Sequence, residues 1–250
     1  MYIEKTRNYW STRNEGYSDL INEELNSEKK EIWLKLINKY RPQGDSLKIL
    51  DAGCGPGFFP VLLGMEGHHV TAVDYTEEML ETTKKNVEKY GVEKNVEIIR
   101  QDIHNLIFED ETFDMVISRN VTWTIDDPHK VYGEWLRVLK PGGCFLNFDS
   151  NFLFSLYDEE LQKQYKEDEK EAISQGYEPV PNDHLADGMD EVLPNLPTAK
   201  GRRPGWDVNQ LMDYEFNNIL IDKNVHEGLL SGFDEILHRN SKMFLLRVEK

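Results

Sequence analysis

The chain is poor in cysteine, in basic charge and in long apolar runs, and each shortage excludes something. Two cysteines in 250 residues, Cys54 and Cys144, lie far apart and make neither a disulfide framework nor a thiolate metal cluster. Against 46 acidic residues stand 29 basic ones, a formal net charge of −17. A surface that acidic repels a phosphate backbone, whose binding draws on Lys and Arg, so nucleic acid is a poor partner. The one tight basic cluster is Lys200-Gly201-Arg202-Arg203. No stretch approaches the ~20 apolar residues that span a bilayer. Met1-Tyr2-Ile3-Glu4-Lys5 does not open like a signal peptide, and a cytoplasmic location is expected. No exposed apolar stripe stands out, so a monomer is the default expectation.

What is present is enough for a core: 39% hydrophobic residues, 11% of the chain aromatic. The length fits one full-sized domain. From Ser46 to about Asp149, short apolar runs alternate with amphipathic stretches, the signature of βαβ units and a largely parallel sheet. The pattern predicts strands at Leu47–Asp51, His69–Asp74, Val96–Arg100, Phe113–Ser118 and Cys144–Asp149. Helices are expected at Phe59–Glu66, Glu77–Tyr90 and Pro128–Leu139, with Gly91 as a helix stop and Lys140-Pro141-Gly142-Gly143 as a turn. Ahead of this core lies a helical stretch, roughly Tyr17–Tyr40, preceded by the aromatic segment Tyr9-Trp10-Ser11-Thr12-Arg13. Behind it, 150–205 breaks the rhythm with a charged helix near Asp158–Ser174 and a loop rich in Pro, Asp and Gly. So long a loop is usually functional. A helix over Trp206–Tyr214 and strands at Asn218–Val225 and Lys242–Val248, paired antiparallel, complete the chain. One domain over 1–250 is expected: an N-terminal helical lid (1–44), a binding core (45–149), an insertion or cover (150–205) and a C-terminal helix and strand pair (206–250).

The informative stretch is Lys48-Ile49-Leu50-Asp51-Ala52-Gly53-Cys54-Gly55-Pro56-Gly57. An apolar strand ends in an acid and turns through glycines into a helix, whose N-terminus faces any ligand held there. Asp74 closes the second strand 21 positions after Gly53, where an acid can accept from both hydroxyls of a ribose. Spacing alone leaves a nicotinamide dinucleotide and S-adenosylmethionine both open.

The wording is more specific. Leu50–Gly57 resembles motif I of the class I S-adenosylmethionine-dependent methyltransferases. Val73-Asp74-Tyr75-Thr76-Glu77-Glu78-Met79-Leu80 is similar to their acidic-strand motif, and Gln101-Asp102-Ile103 to the acid after the third strand. Phe113–Ser118 and Arg137–Gly143 resemble the fourth strand and the turn before the fifth. The resemblance covers about 45–150 and is weak over 150–205. It implies a Rossmann-like, doubly wound α/β fold, a mostly parallel seven-stranded sheet with an antiparallel C-terminal strand. It also implies S-adenosylmethionine as cofactor, S-adenosylhomocysteine as product, and a set of roles. Asp51, Gly53 and Gly55 would surround the methionine end, Asp74 would bind the ribose, and Tyr75 and Met79 would pack against the adenine. Asp102 would reach the adenine amine, the Ile103 backbone would lie beside the ring, and Asn120 would face the methionine moiety. In many small-molecule relatives a Y-W-x-x-R-x-x-x-Y stretch folds over the cofactor, and Tyr9, Arg13 and Tyr17 match it.

Exclusions narrow the acceptor. Ser118-Arg119-Asn120-Val121-Thr122-Trp123 is not the Asn/Asp-Pro-Pro-aromatic motif of enzymes that methylate nucleobase amines. Neither cysteine sits where a cytosine-C5 enzyme needs its nucleophile, and two give no thiolate set for arsenic. A small-molecule acceptor is the leading expectation; RNA, protein, or a cofactor-binding protein without turnover are alternatives. No catalytic residue is assigned, because transfer from an activated sulfonium needs mainly positioning and desolvation. Candidate substrate contacts are Tyr17, Trp123, His184, Arg203 and Trp206. No metal is expected: His68 and His69 point to opposite faces of a strand, and Asp183, His184 and Asp187 lack a further ligand.

Overall fold

Strands that bury both faces cannot alternate polar and apolar residues, and β1 (Lys48–Ala52) and β2 (His69–Asp74) read as apolar runs closed by a small or acidic residue. The computed structural model describes residues 2–177, 189, 191–223, 225 and 227–250. β3 (Val96–Arg100), β4 (Phe113–Arg119) and β5 (Leu139–Asp149) follow, and the sheet is closed by β6 (Asn218–Asp222) and β7 (Phe244–Glu249). Their order is β3-β2-β1-β4-β5-β7-β6. The first five pair in parallel, while β7 runs antiparallel between β5 and β6. This is the doubly wound, seven-stranded sheet expected from the sequence.

The order reverses between β1 and β4, and such a switch point opens a crevice at the carboxyl ends of the strands. Helices α3 (Phe58–Met65), α4 (Glu77–Tyr90) and α5 (Pro128–Val138) make the crossovers. Gly91 stops α4 in a left-handed conformation, and Asp127 caps α5 through the Lys130 N–H. One apolar cluster, including Trp33, Phe59 and Phe148, lies under α2 (Lys29–Tyr40) and α3. The other, with Tyr132, Trp135 and Phe145, lies under α5 and α8 (Gly205–Leu211).

The N-terminus departs from expectation. Instead of a helix over 17–40, α1 spans Tyr2–Leu25 and absorbs the aromatic segment. The break falls at 26–28, where Asn26 Nδ2 donates to the Asn22 carbonyl and the Ser27 hydroxyl accepts from the Lys29 N–H. These short polar side chains compete with the helical ladder. Lys140–Gly143 is also not a free turn: β5 begins at Leu139, with an irregular register opposite Phe113 and Met115. Gly142 N–H donates to the Lys250 carbonyl, and Lys250 N–H to that of Gly143, which ties this stretch to the end of the chain. β6 stops at Asp222 and β7 starts at Phe244, both shorter than predicted.

In the segment after β5, α6 (Glu159–Ser174) is held by Asp168, which accepts from Arg239 at 2.6 Å and Asn240 at 2.9 Å, just beyond α9 (Phe233–Leu237). Around α7 (Pro197–Lys200), Leu153, Met189, Leu193, Leu196 and Ala199 form a third apolar cluster with Tyr9 and Trp123. Among the described residues no helix is long and apolar enough to cross a membrane.

Candidate functional site

At the switch point, the strand ends and the loops after them leave a cleft holding about 950 Å³ of space, its open mouth included. Asp51 forms its floor and is 2% exposed. Burial pushes its carboxyl well above the usual range, Arg119 opposes the shift, and the nearby Asp74 carboxylate adds to it. Asp74 is also raised by burial, partly offset because Oδ1 accepts from the Thr76 N–H at 2.8 Å and Oδ2 from the Gly55 N–H at 3.0 Å. Two acids with raised values in one cleft are a site looking for hydrogen-bond donors or positive charge.

The glycine turn is built for close approach. At Gly53 (φ 79°) a Cβ would stand 2.5 Å from Val121 Cγ2. Gly55 (φ 51°) has its carbonyl bound by the Thr83 hydroxyl at 2.5 Å. The Gly53 and Cys54 amides both donate to the Val73 carbonyl at 2.9 Å, so the turn is braced from behind by β2. Asn120 sits at φ 56°, a conformation asparagine tolerates better than most residues. Its N–H donates to the Phe148 carbonyl and its own carbonyl accepts from Trp123 Nε1, both at 2.9 Å. The side-chain Oδ1 is buried without a hydrogen-bond partner, as is Oε1 of Gln101.

Of the residues singled out in the sequence, Asp51, Gly53, Gly55, Asp74, Tyr75, Met79, Asp102, Ile103, Asn120 and Tyr17 all line this cleft. Asp102 is engaged through Oδ1, which lies 2.6 Å from His104 Nδ1 and accepts from the His104 N–H. The others stand elsewhere. Tyr9 is 1% exposed and carries the Arg13 guanidinium 4.7 Å over its ring; neither lines the cleft. The residue of that segment that does is Trp10, backed by Trp123 at 6.2 Å between rings. Trp123 is therefore a second layer, not the wall.

Arg203 corrects an expectation. It lies outside the cleft, its side chain 1% exposed, bound to Asp149 at 3.0 Å, Asp207 at 2.7 Å and the Thr122 hydroxyl at 2.6 Å. Burial works against its charge, but Asp149 and Asp207 more than offset that and hold its value well up. Two buried carboxylates draw the guanidinium inward, which leaves it no free donor set for a substrate. Trp206 also lies outside the cleft, against Gly201. His184 and Asp187 lie outside the described residues.

Sequence reasoning missed several lining groups: Trp10, Gln101, His104 and Arg119. Arg119 has the clearest signal, a cation ending an apolar strand at the crevice edge. It pairs with Glu24 at 2.7 Å, and its guanidinium sits 4.4 Å from the Phe58 ring centre. Burial opposes its charge, and Glu24, Tyr17 and Asp51 together outweigh that, leaving its value raised.

Comparison with known proteins follows the same outline. A family profile described as a methyltransferase domain matches residues 50–147. The chain is similar to a demethylmenaquinone methyltransferase of Leptospira interrogans, 39% identical over 106 residues, covering 41% of this chain and 43% of that protein. It is also similar to a ubiquinone biosynthesis O-methyltransferase of Coxiella burnetii, 31% identical over 150 residues, covering 56% and 63%. The chain thus spans about half the length of the curated relatives it matches. Among solved structures, geranyl diphosphate C-methyltransferase of Streptomyces coelicolor shares the fold, with a TM-score of 0.59 at 15% identity, over 93% of this chain and 83% of that one.

Proposed function

We propose, from the premise that residues 50–147 match a methyltransferase-domain family and resemble its class I S-adenosylmethionine-dependent type, that this chain moves a methyl group from S-adenosylmethionine to a small-molecule acceptor. The observation that carries the reading is the pair of acids, Asp51 and Asp74, facing one cleft behind the glycine turn.

The residues fit the cofactor. Asp51, Asp74, Gln101 Oε1 and Asn120 Oδ1 present acceptors to the same space, and the molecule they would hold is rich in donors: an ammonium, two ribose hydroxyls and an adenine amine. When bound, S-adenosylmethionine supplies a methyl group made electrophilic by a positive sulfur. Asp51 and Asn120 would hold the methionine end and Asp74 the ribose, while Met79, Tyr75, Ile103 and Asp102 would surround the adenine. Gly53 and Gly55 keep side chains out of the way. Helix α1 supplies the cover, through Trp10 and Tyr17 of the lining rather than Tyr9 and Arg13.

No group in the cleft needs to act as a strong acid or base for this. The protein contributes alignment and a dry, apolar setting, in which a positive charge spread towards the acceptor is held beside buried carboxylates. The formal charge of −17 supports a small molecule over RNA as acceptor.

Calorimetric titration with S-adenosylhomocysteine tests the reading, with NAD as control and Asp74→Ala alongside. Micromolar binding that the variant loses, and that NAD lacks, is the expected result. A folded protein that binds neither ligand refutes it.

A further inference from the structure

A second chamber adjoins the first. Tyr17, Ile21, Arg119 and Asn120 line both, so the two share a wall. The second encloses about 1030 Å³ of space, again with its mouth included, and most of its lining is apolar, from Ile21, Phe152, Leu229 and Met243 among others.

Two features give it a chemistry. Its acids, Glu23 and Glu24, are matched in number by Lys29 and Arg119, so this is a balanced spot in a chain of formal charge −17. Glu24 is bound to Arg119 at 2.7 Å, and Glu23 and Lys29 offset one another in the same lining. Trp33 lines the chamber and is 1% exposed, and its Nε1–H is buried with no hydrogen-bond partner. An indole N–H buried without an acceptor carries a desolvation penalty, which a ligand oxygen can relieve.

We propose that this chamber receives the methyl acceptor, and that the acceptor is a neutral, largely apolar molecule presenting a hydroxyl, whose oxygen accepts from Trp33. The proposal rests on the first cleft being the donor site. The lining charges cancel in number, Glu23 and Glu24 against Lys29 and Arg119, so neither an anion nor a protonated amine meets a net opposite charge there. Transfer forms an O–CH3 bond at the hydroxyl oxygen. The electron pair of the broken C–S bond goes to sulfur, leaving a thioether, and the hydroxyl proton passes to the imidazole of His238, which lines the same chamber.

The test uses three probes of one shape on the full chain saturated with S-adenosylhomocysteine: 2-naphthol, 2-naphthoate and protonated 2-naphthylmethylamine, followed by calorimetry. The naphthol is expected to bind at least tenfold more tightly than either charged probe. Trp33→Phe keeps an aromatic ring and loses the donor, so naphthol affinity falls about 5–10-fold, the worth of one neutral hydrogen bond. Leu230→Trp, at a lining position outside the donor cleft, abolishes it. Both variants keep affinity for S-adenosylhomocysteine, which reports that they are folded. A charged probe that binds as tightly as the naphthol, or naphthol binding indifferent to both variants, overturns the proposal. Naphthol that does not bind to a protein still holding S-adenosylhomocysteine also overturns it, and leaves the donor site standing. Naphthol binding without any S-adenosylhomocysteine binding refutes the donor site instead.

Discussion

Replacing Asp51 by asparagine separates what the fold wants from what the site wants. Asp51 is 2% exposed, and burial pushes its carboxyl well up, against the pull of Arg119. An ionised carboxylate in that position costs several kcal/mol of lost hydration, part of which Arg119 returns. Asp51→Asn keeps the shape and removes the charge, and Arg119 still has Glu24 at 2.7 Å. The variant is therefore expected to be more stable by about 1–3 kcal/mol at pH 8 without ligand. For a chain of this size that raises Tm by roughly 2–12 °C, at about 2–4 °C per kcal/mol. The sign of the pH dependence follows from the raised value: the folded wild type takes up a proton more readily than the unfolded chain. Its handicap is thus full at high pH and shrinks as pH falls through the folded value, so the Tm difference between the two proteins closes on acidification. Affinity for S-adenosylhomocysteine moves the other way. Losing a charge-assisted hydrogen bond of about 1.5–3 kcal/mol weakens binding roughly 10–150-fold. Scanning calorimetry from pH 5 to 8, with and without S-adenosylhomocysteine, reads all of this. A variant less stable than wild type without ligand at pH 8, or one that binds S-adenosylhomocysteine equally well, refutes the reasoning.

Other substitutions probe the supports. Arg203→Met leaves Asp149 and Asp207 buried without their cation and is expected to cost about 3–5 kcal/mol, a fall in Tm of roughly 6–20 °C by thermal denaturation. Gly53→Ala drives a Cβ to within 2.5 Å of Val121 at a positive φ, so S-adenosylhomocysteine affinity falls at least tenfold by calorimetry, whereas Gly142→Ala, an exposed positive-φ glycine with open space around it, leaves that affinity within twofold. Arg239→Leu removes a cation from the buried Asp168, whose value is held down by hydrogen bonds from Arg239 and Gln164 against the effect of burial. That stabilisation is present above the unfolded carboxylate value and disappears below the folded one, so hydrogen exchange in α6 should rise most at neutral pH and least in acid.

The lining of the first cleft was largely legible because its rules are local. A strand that ends in an acid, a turn that only glycine can make and a second acid closing the next strand are all written in consecutive residues, Leu50–Gly57 and Val73–Met79. The largely parallel sheet was legible in the alternation of strand and helix, while the order of its strands was not. What could not be read were the partners of long-range charges. Arg203 looks like a surface cation beside Arg202, and only the inward-facing ends of β5 and α8, with Asp149 and Asp207, reveal that it is structural. The first helix was expected to start too late because aromatic and small polar residues have weak helical preference, and the clustering of Tyr9 with Trp123, Leu193 and Ala199 overrides it. The second chamber was invisible for a stronger reason: its walls come from α1, α2, the end of β4, the segment after β5 and the segment before β7.

Strand β7 brings that last segment in. By running antiparallel against β5 it sets Phe244 opposite Asp149, which carries residues 238–243 to the edge where residues 150–152 begin. Of the second chamber's lining, only Arg119 and Asn120 fall within 50–147. A match over 50–147 therefore reports on the lining of the first cleft and on almost none of the second chamber's.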